Sequence, residues 1–423
     1  MFERLLRVGV RRGHVTVIDP AGKRHELKYS AEPRVTLRIH DAATDRGLFI
    51  NPWLKLGEAY MDGRVTIEEG TLYDLIDLAM DGTDEVQSVT LQRLVGGVHK
   101  LLRWWHQHNP IGLAREHVAH HYDLSRQLFE QFLDESMQYS CAYFATPETT
   151  LPQAQQAKMR HIASKLLLQP GQHVLDIGCG WGGLAMYLAK VADVKVTGVT
   201  LSTEQHQVAE ARAKAAGLSD RVTFKLQDYR LETARYDRIV SVGMFEHVGV
   251  KHYGEFFGKV QDLLVDNGVA LLHAIGRRDG PGYTNPWLRK YIFPGGYSPA
   301  LSEVLPKIEK TKLWVTDVEV LRLHYAETLK AWRHNFNAVR DKIRTLYDER
   351  FCRMWEFYLI GSELSFRYDY NMVFQIQMGK GINAVPVTRD YMFDWERRQT
   401  ALATGKPADK AADKAGLGER AAE

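Results

Sequence analysis

The chain has 423 residues, 45% of them hydrophobic and 25% charged, with a formal net charge of +3. That length and mix describe a globular protein of two or three domains, and the near-neutral balance gives no global argument for nucleic acid as a partner. Arginines interrupt every apolar stretch of MFERLLRVGVRRGHV, and no run approaches the ~18 apolar residues of a spanning helix, so neither a signal peptide nor a membrane span is expected.

Residues 1–90 alternate short β-like runs (HVTVIDP, RVTLRIH, RVTIEEG) with turn residues and then read as a helix around LYDLIDLAM. This predicts a small α+β domain over residues 1–120. The spacing of Leu91, Leu94, Val95, Val98, Leu101, Leu102 and Trp105 is helical. LLRWWHQH (101–108) has the basic-aromatic mix of an interfacial helix, though such a helix can equally dock one domain on another. Asn109-Pro110 should stop it, which puts a hinge near 106–120. Arg4, Arg7, Arg11 and Arg12 face only Glu3 in the first dozen residues and would favour an anionic lipid surface.

From about residue 121 the pattern changes to strand–helix alternation. HVLDIG, VKVTGVT, RVTFKLQD, DRIVSVG and VALLHAIG read as strands, with helices such as GGLAMYLAKV and STEQHQVAEARAKAAG between the first four. This is the signature of an α/β, doubly wound, Rossmann-like parallel sheet over residues 121–400. Two late strands, WVTDVEVLRLH and YNMVFQIQMGK, flank a long helical stretch and suit an antiparallel addition to that sheet. The tail, 401–423, lacks aromatics and is expected to be disordered. Cys141, Cys179 and Cys352 are too widely spaced for a disulfide framework or a zinc site, so no metal is expected and a reducing cytoplasm fits best.

In VLDIGCGWGGLA (174–185), Gly178, Gly180 and Gly183 satisfy the dinucleotide fingerprint G-x-G-x-x-G. A nicotinamide site also wants an acid at the end of the second strand, about 20 residues on. That position reads GVTLSTEQ and offers hydroxyls and an amide. Asp176 instead precedes the glycines, where a carboxylate suits a cofactor bearing an ammonium group better than one bearing a pyrophosphate. The string therefore favours S-adenosylmethionine over a nicotinamide oxidoreductase.

Ligands in open α/β sheets bind beyond the carboxyl ends of the strands, so Glu246 in VGMFEHVG and His273 in LLHAIG should lie near the cofactor and each other. QYSCAYF (138–144) and Tyr325 in RLHYAETLKAW also look chemically loaded. Each alone has a plain structural explanation: a lone buried His is usually a satisfied core residue, and a Cys a small apolar filler. Their joint placement around one loop is what argues for a site.

Together VLDIGCGWGGLA, YSCAYF, VTGVTLS–EQ, FEHVG and GYTNPWLRKYIFPGG closely resemble the cyclopropane-fatty-acid synthase family of S-adenosylmethionine-dependent lipid methyltransferases, over roughly residues 120–395. The first hundred residues resemble the extra N-terminal domain of its phospholipid-acting members. The resemblance implies attack of a cis double bond on the cofactor's methyl, leaving a carbocation on the acyl chain. Loss of a proton from the new methyl, to a bound bicarbonate, then closes a cyclopropane ring. It assigns Cys141, Glu246, His273, Tyr325 and the Ile275 N–H to the bicarbonate. To the cofactor it assigns Tyr139, Ser140, Asp176, Gly178, Gly180, Thr200, Leu201, Ser202 and Gln205, with Gln227, Asp228 and Tyr229 near the adenine. His247 is expected to point away in a structural role. The stretch 283–297 reads as a lid over an acyl tunnel, with Trp287, Tyr291 and Phe293 as its aromatics and Arg289 and Lys290 available to lipid phosphate. The family also implies unsaturated phospholipid acyl chains as substrate, an anionic membrane surface on the cytoplasmic side as workplace, and a homo-oligomer, a dimer being favoured. Two alternatives stay open: a lipid C-methyltransferase making methylene- or methyl-branched chains, and a catalytically silent lipid-binding protein.

Overall fold

The computed structural model describes residues 1–80 and 126–404, with positions 82, 86 and 97 between them. LLRWWHQH, the expected hinge at 106–120 and residues 405–423 lie outside the described residues.

The N-terminal sheet has four strands in the order β2-β1-β3-β4: β1 His14–Ile18, β2 Arg24–Lys28, β3 Arg34–Ile39 and β4 Val65–Glu69. Helices Phe2–Gly9, Ala42–Ile50, Pro52–Met61 and Leu72–Met80 accompany it. The sequence pattern locates β1, β3, β4 and the last helix, but not β2, whose RHELK is mostly exposed, nor the first three helices. The opening arginine-rich segment is itself a helix, burying Phe2, Leu5, Leu6 and Gly9 while Arg4 and Arg7 stay exposed. Arg12 is paired with Asp77 at 2.8 Å.

The second sheet has seven strands in the order β10-β11-β9-β8-β5-β6-β7. Strands β5 (His173–Ile177), β6 (Lys195–Thr200), β7 (Val222–Leu226), β8 (Tyr236–Val242) and β9 (Leu264–Arg277) are mutually parallel. The core strands β5 and β6 are continuous buried runs, as central parallel strands covered on both faces should be. The late pair is β10 (Trp314–Val320) and β11 (Asn371–Gly379). β11 inserts antiparallel between β9 and β10, leaving β10 on the edge with Trp314 half exposed. The chain runs from β5 to β7 toward one edge and then resumes on the other side of β5 with β8. The resulting crevice, at the carboxyl ends of β5 and β8, is where such sheets bind ligands. The last helix, Asp390–Thr404, continues past residue 400 into the segment expected to be disordered.

The domains share a core. Ile360 and Leu364, from the long helix Glu349–Tyr368, sit in the same apolar cluster as Val15, Leu37, Leu75 and Leu78. On that helix the fully buried Glu363 receives Arg333 and Arg367, each at 3.0 Å, and the Tyr73 hydroxyl at 3.4 Å. The helix Pro286–Tyr291, capped by Asn285, lays Trp287 on Gly57 of the N-terminal domain. Glu58 beside it accepts from Lys290 at 2.6 Å, Lys55 at 2.7 Å and the Tyr291 hydroxyl at 3.1 Å. Burial opposes ionisation of Glu58, but those three donors outweigh it and hold its carboxyl down at about 2. Lys290, expected from the sequence to be available to lipid phosphate, here pairs its ammonium with Glu58 while its side chain stays half exposed. Arg289 is partly buried, and burial lowers its guanidinium from the ordinary range.

A Cβ on residue 57 would overlap the Trp287 indole. Replacing a helical Gly by Ala gains up to ~1 kcal/mol in propensity, whereas overpacking costs about 1–3 kcal/mol. Gly57→Ala is therefore predicted to lower the denaturation midpoint, and Trp287→Leu in that background to recover part of the loss. An unchanged midpoint in Gly57→Ala would show that the indole does not pin the two domains together.

Candidate active site

Two adjoining cavities open at the carboxyl ends of the central strands. The first is lined by Tyr139, Ser140, Asp176, Gly178, Gly180, Thr200, Leu201, Gln205, Gln227, Asp228 and Tyr229, all assigned from sequence to the cofactor. Ser202 is not in that lining; its hydroxyl caps the helix Thr203–Ala215 by accepting from Gln205 N at 3.3 Å. Thr200 Oγ1 donates to Gln205 Oε1 at 2.9 Å, and the Asp228 carboxylate is turned toward Arg230. At Gly180, φ is +53° and a Cβ would meet nothing within 4 Å, so this glycine borders open space in a conformation side chains disfavour.

Asp176 fits a cationic ligand group. It is 1% exposed, its Oδ2 has no hydrogen-bond partner among the described residues, and burial pushes its carboxyl up to about 7 against the pull of Lys158. A buried carboxyl with an open oxygen gains most from a ligand ammonium, which is what S-adenosylmethionine carries. Lys158, on helix Leu151–Leu166, is itself fully buried and donates to Gln138 Oε1 and, at 3.0 Å, to Ser140 Oγ. Burial lowers its ammonium to about 8. Gln138, Trp181, Arg230 and Met244 are also in the lining and carry no sequence signal of a site.

The second cavity brings together Cys141, Glu246, His273, Ile275 and Tyr325. Glu246 lies in a 3-10 turn, Phe245–His247, just after β8, and His273 and Ile275 lie on the adjoining β9. Glu246 Oε1 accepts from Ile275 N at 2.6 Å, so this N–H, expected to serve an anion, is given to the carboxylate. Oε2 is buried with no hydrogen-bond partner among the described residues. Burial pushes the carboxyl up to about 7, the Ile275 N–H restraining it. Burial takes His273 down to about 3, so its ring is neutral. Gln375 on β11, opposite His273 in the ladder, places its amide nitrogen 3.1 Å from Nδ1. An amide nitrogen only donates, which leaves the ring proton on Nε2.

The Cys141 thiol is driven upward by burial and donates to Ala142 O at 3.3 Å. The Tyr325 ring packs 4.8 Å from Phe366 and 5.8 Å from Trp332. Tyr139 OH lies 2.7 Å from Tyr358 OH. Phe293, one of the expected lid aromatics, does face this cavity, and Leu288 joins it there. His247 departs from expectation, because it borders both cavities.

Sheet order, glycine turn and cofactor cavity define a class I, S-adenosylmethionine-dependent methyltransferase. The family model described as Mycolic acid cyclopropane synthetase matches residues 112–376, and a domain family of unknown function matches 12–89. The chain belongs to the cyclopropane synthase family of S-adenosylmethionine-dependent lipid methyltransferases. It is 44% identical over 270 residues to the cyclopropane-fatty-acyl-phospholipid synthase of Escherichia coli K12, covering 64% of this chain and 69% of that one. It is 37% identical over 361 residues to the tuberculostearic acid methyltransferase UfaA1 of Mycobacterium tuberculosis, covering 82% and 84%. Among solved structures, the mycolic acid cyclopropane synthase CmaA1, in complex with SAH and CTAB, superposes with a TM-score of 0.60 at 34% identity, covering 64% of this chain and 99% of that one.

Burial raises the Asp176 carboxyl to about 7, so a cationic ligand group held there would lose its attraction as the carboxyl takes up a proton. Affinity for S-adenosylmethionine is predicted to fall as pH drops below neutrality, by up to roughly tenfold per unit, and to level off above it. Calorimetric titration from pH 5.5 to 8 checks this. Asp176→Asn should flatten the profile at its weak end; a flat profile in the unaltered protein would contradict the role.

Proposed function

We propose that this enzyme converts the cis double bond of unsaturated phospholipid acyl chains into a cyclopropane ring, with bicarbonate held by Cys141, Glu246, His273 and Tyr325, and with the Ile275 N–H acting through Glu246 instead of on the anion itself. The observation that carries the reading is Glu246: one oxygen tied to Ile275 N–H, the other buried and open, and a carboxyl balanced at about 7 beside a neutral histidine. Two full negative charges in such a place would repel each other. A carboxyl near half-protonation, facing an anion that bears its own hydroxyl, lets one proton sit between them.

Bound S-adenosylmethionine supplies an electrophilic methyl group, and bound bicarbonate a base. The chain's residues prepare the surroundings. Gln375 keeps the His273 proton on Nε2, available as a donor to anion oxygens. Cys141, its thiol held protonated by burial, is a poor nucleophile and does not compete for a cation. The rings of Tyr325, Phe293, Phe366 and Tyr358 line the cavity, and aromatic faces attract positive charge. The phospholipid substrate is supported by the Escherichia coli relative, whose name specifies it. Work at the cytoplasmic face of an anionic membrane, as a dimer, belongs to the same proposal. The exposed Arg4, Arg7 and Arg11 support the membrane part, and no described helix is long and apolar enough to cross a membrane.

The test is incubation with S-adenosylmethionine and vesicles of unsaturated phospholipid, followed by proton NMR of the lipid. Upfield cyclopropane protons are expected; a retained C=C in an alkylated chain would overturn ring formation in favour of a branched product. Glu246→Gln should lower kcat by about 10²–10⁴-fold with cofactor affinity unchanged. Loss of cofactor binding in that variant would show that Glu246 serves the other cavity.

A further inference from the structure

A third and larger cavity, of about 290 Å³, lies between the two domains. Leu6, Trp53, Leu56 and Leu75 wall it from the N-terminal side, and Trp287 and Phe357 from the catalytic side. Protein interiors close voids larger than a water molecule, and large apolar cavities at domain boundaries are the usual form of a ligand site. Leu288, Tyr358, Ser362 and Asn371 line both this cavity and the one holding Glu246 and His273, so the two adjoin across a shared wall. Its lining also holds the buried Arg277, the exposed Arg278, and Asp279 and Asp369. Arg277 is committed to Asp279, at 2.6 and 2.8 Å, and to the Tyr370 ring. Arg278 is exposed and, among the described residues, its guanidinium contacts only the Asp369 carbonyl oxygen, at 3.4 Å.

We infer that this interdomain cavity binds the part of the phospholipid between its phosphate and the reacting double bond, with the phosphate at Arg278. The inference rests on the proposed reaction at the adjoining cavity and adds a role for the N-terminal domain as one wall of the acyl-chain site. An extended hydrocarbon matches the apolar lining, and the exposed Arg278 rewards an anionic group there. The methyl end of the chain would gain nothing from Arg278, which sets the direction. The length of this cavity then governs how far from the phosphate a double bond can react.

The direct test uses the unaltered protein with S-adenosylmethionine and phosphatidylglycerol vesicles in which the unsaturated chain carries a diazirine between ester and double bond. After irradiation, adducts are mapped by peptide mass spectrometry. Adducts on the N-terminal wall, around Leu6, Leu56 or Leu75, are expected. Adducts confined to the catalytic domain, with cyclopropane product formed, would overturn the inference and leave the proposed reaction standing. Neither adducts nor product would overturn that reaction itself. Ala79→Trp, which intrudes on the same cavity from the helix Leu72–Met80, should remove the N-terminal adducts while cofactor affinity holds. Arg278→Glu should raise KM for the vesicles by about tenfold or more. Unchanged adducts in the first variant or an unchanged KM in the second would count against the site.

Discussion

Burial strips Glu246 of water, which by itself would keep its carboxyl neutral; the Ile275 N–H on Oε1 pulls toward ionisation, and the two balance near neutrality. That balance depends on the sheet. β8 ends in the 3-10 turn that carries Glu246, β9 runs alongside and presents Ile275, and Tyr297 N ties the Glu246 carbonyl at 2.9 Å. The inserted β11 then puts Gln375 against His273. A shift of any of these strands by one residue would turn its side chains to the opposite face and dismantle the arrangement.

Carboxylates and lysines behave in opposite ways in different parts of this chain, and the surroundings decide which. Glu58, with three donors, stays ionised down to about 2, whereas Asp176, buried with an open oxygen, is pushed to about 7. Lys290, paired at the surface, is raised, while the enclosed Lys158 falls to about 8. The first member of each pair holds the domains together. The second lies at the first cavity, Asp176 in its lining and Lys158 behind Ser140. Docking and chemistry are therefore connected through the helix Pro286–Tyr291, which grips the N-terminal domain and is followed directly by Phe293 at the reaction cavity.

Much of the fold was legible because strand and helix periods are strong local signals, and glycines at a strand end mark a ligand turn. The placement of β11 between β9 and β10 was not, since strand order is settled by contacts remote in sequence. Gln375 acts on a residue 102 positions away, and Lys290 on one 232 positions away. For Gln375 there was a usable signal: Gln375 and Gln377 alternate within an apolar strand, YNMVFQIQMGK, and both prove fully buried. For Lys158 there was none, because a lysine on a mixed helix is ordinarily solvated. His247 is expected from the sequence to point away from the site, but it sits with Glu246 in a 3-10 turn and borders both cavities.

In the proposed reaction a base acts on the newly transferred methyl group itself. Supplying S-adenosylmethionine with a fully deuterated methyl and weighing the modified acyl chain tests it most directly. Ring closure predicts two deuterons retained in every product chain, with no double bond left. Three retained deuterons would mean that the proton leaves from elsewhere on the chain, and would contradict the account.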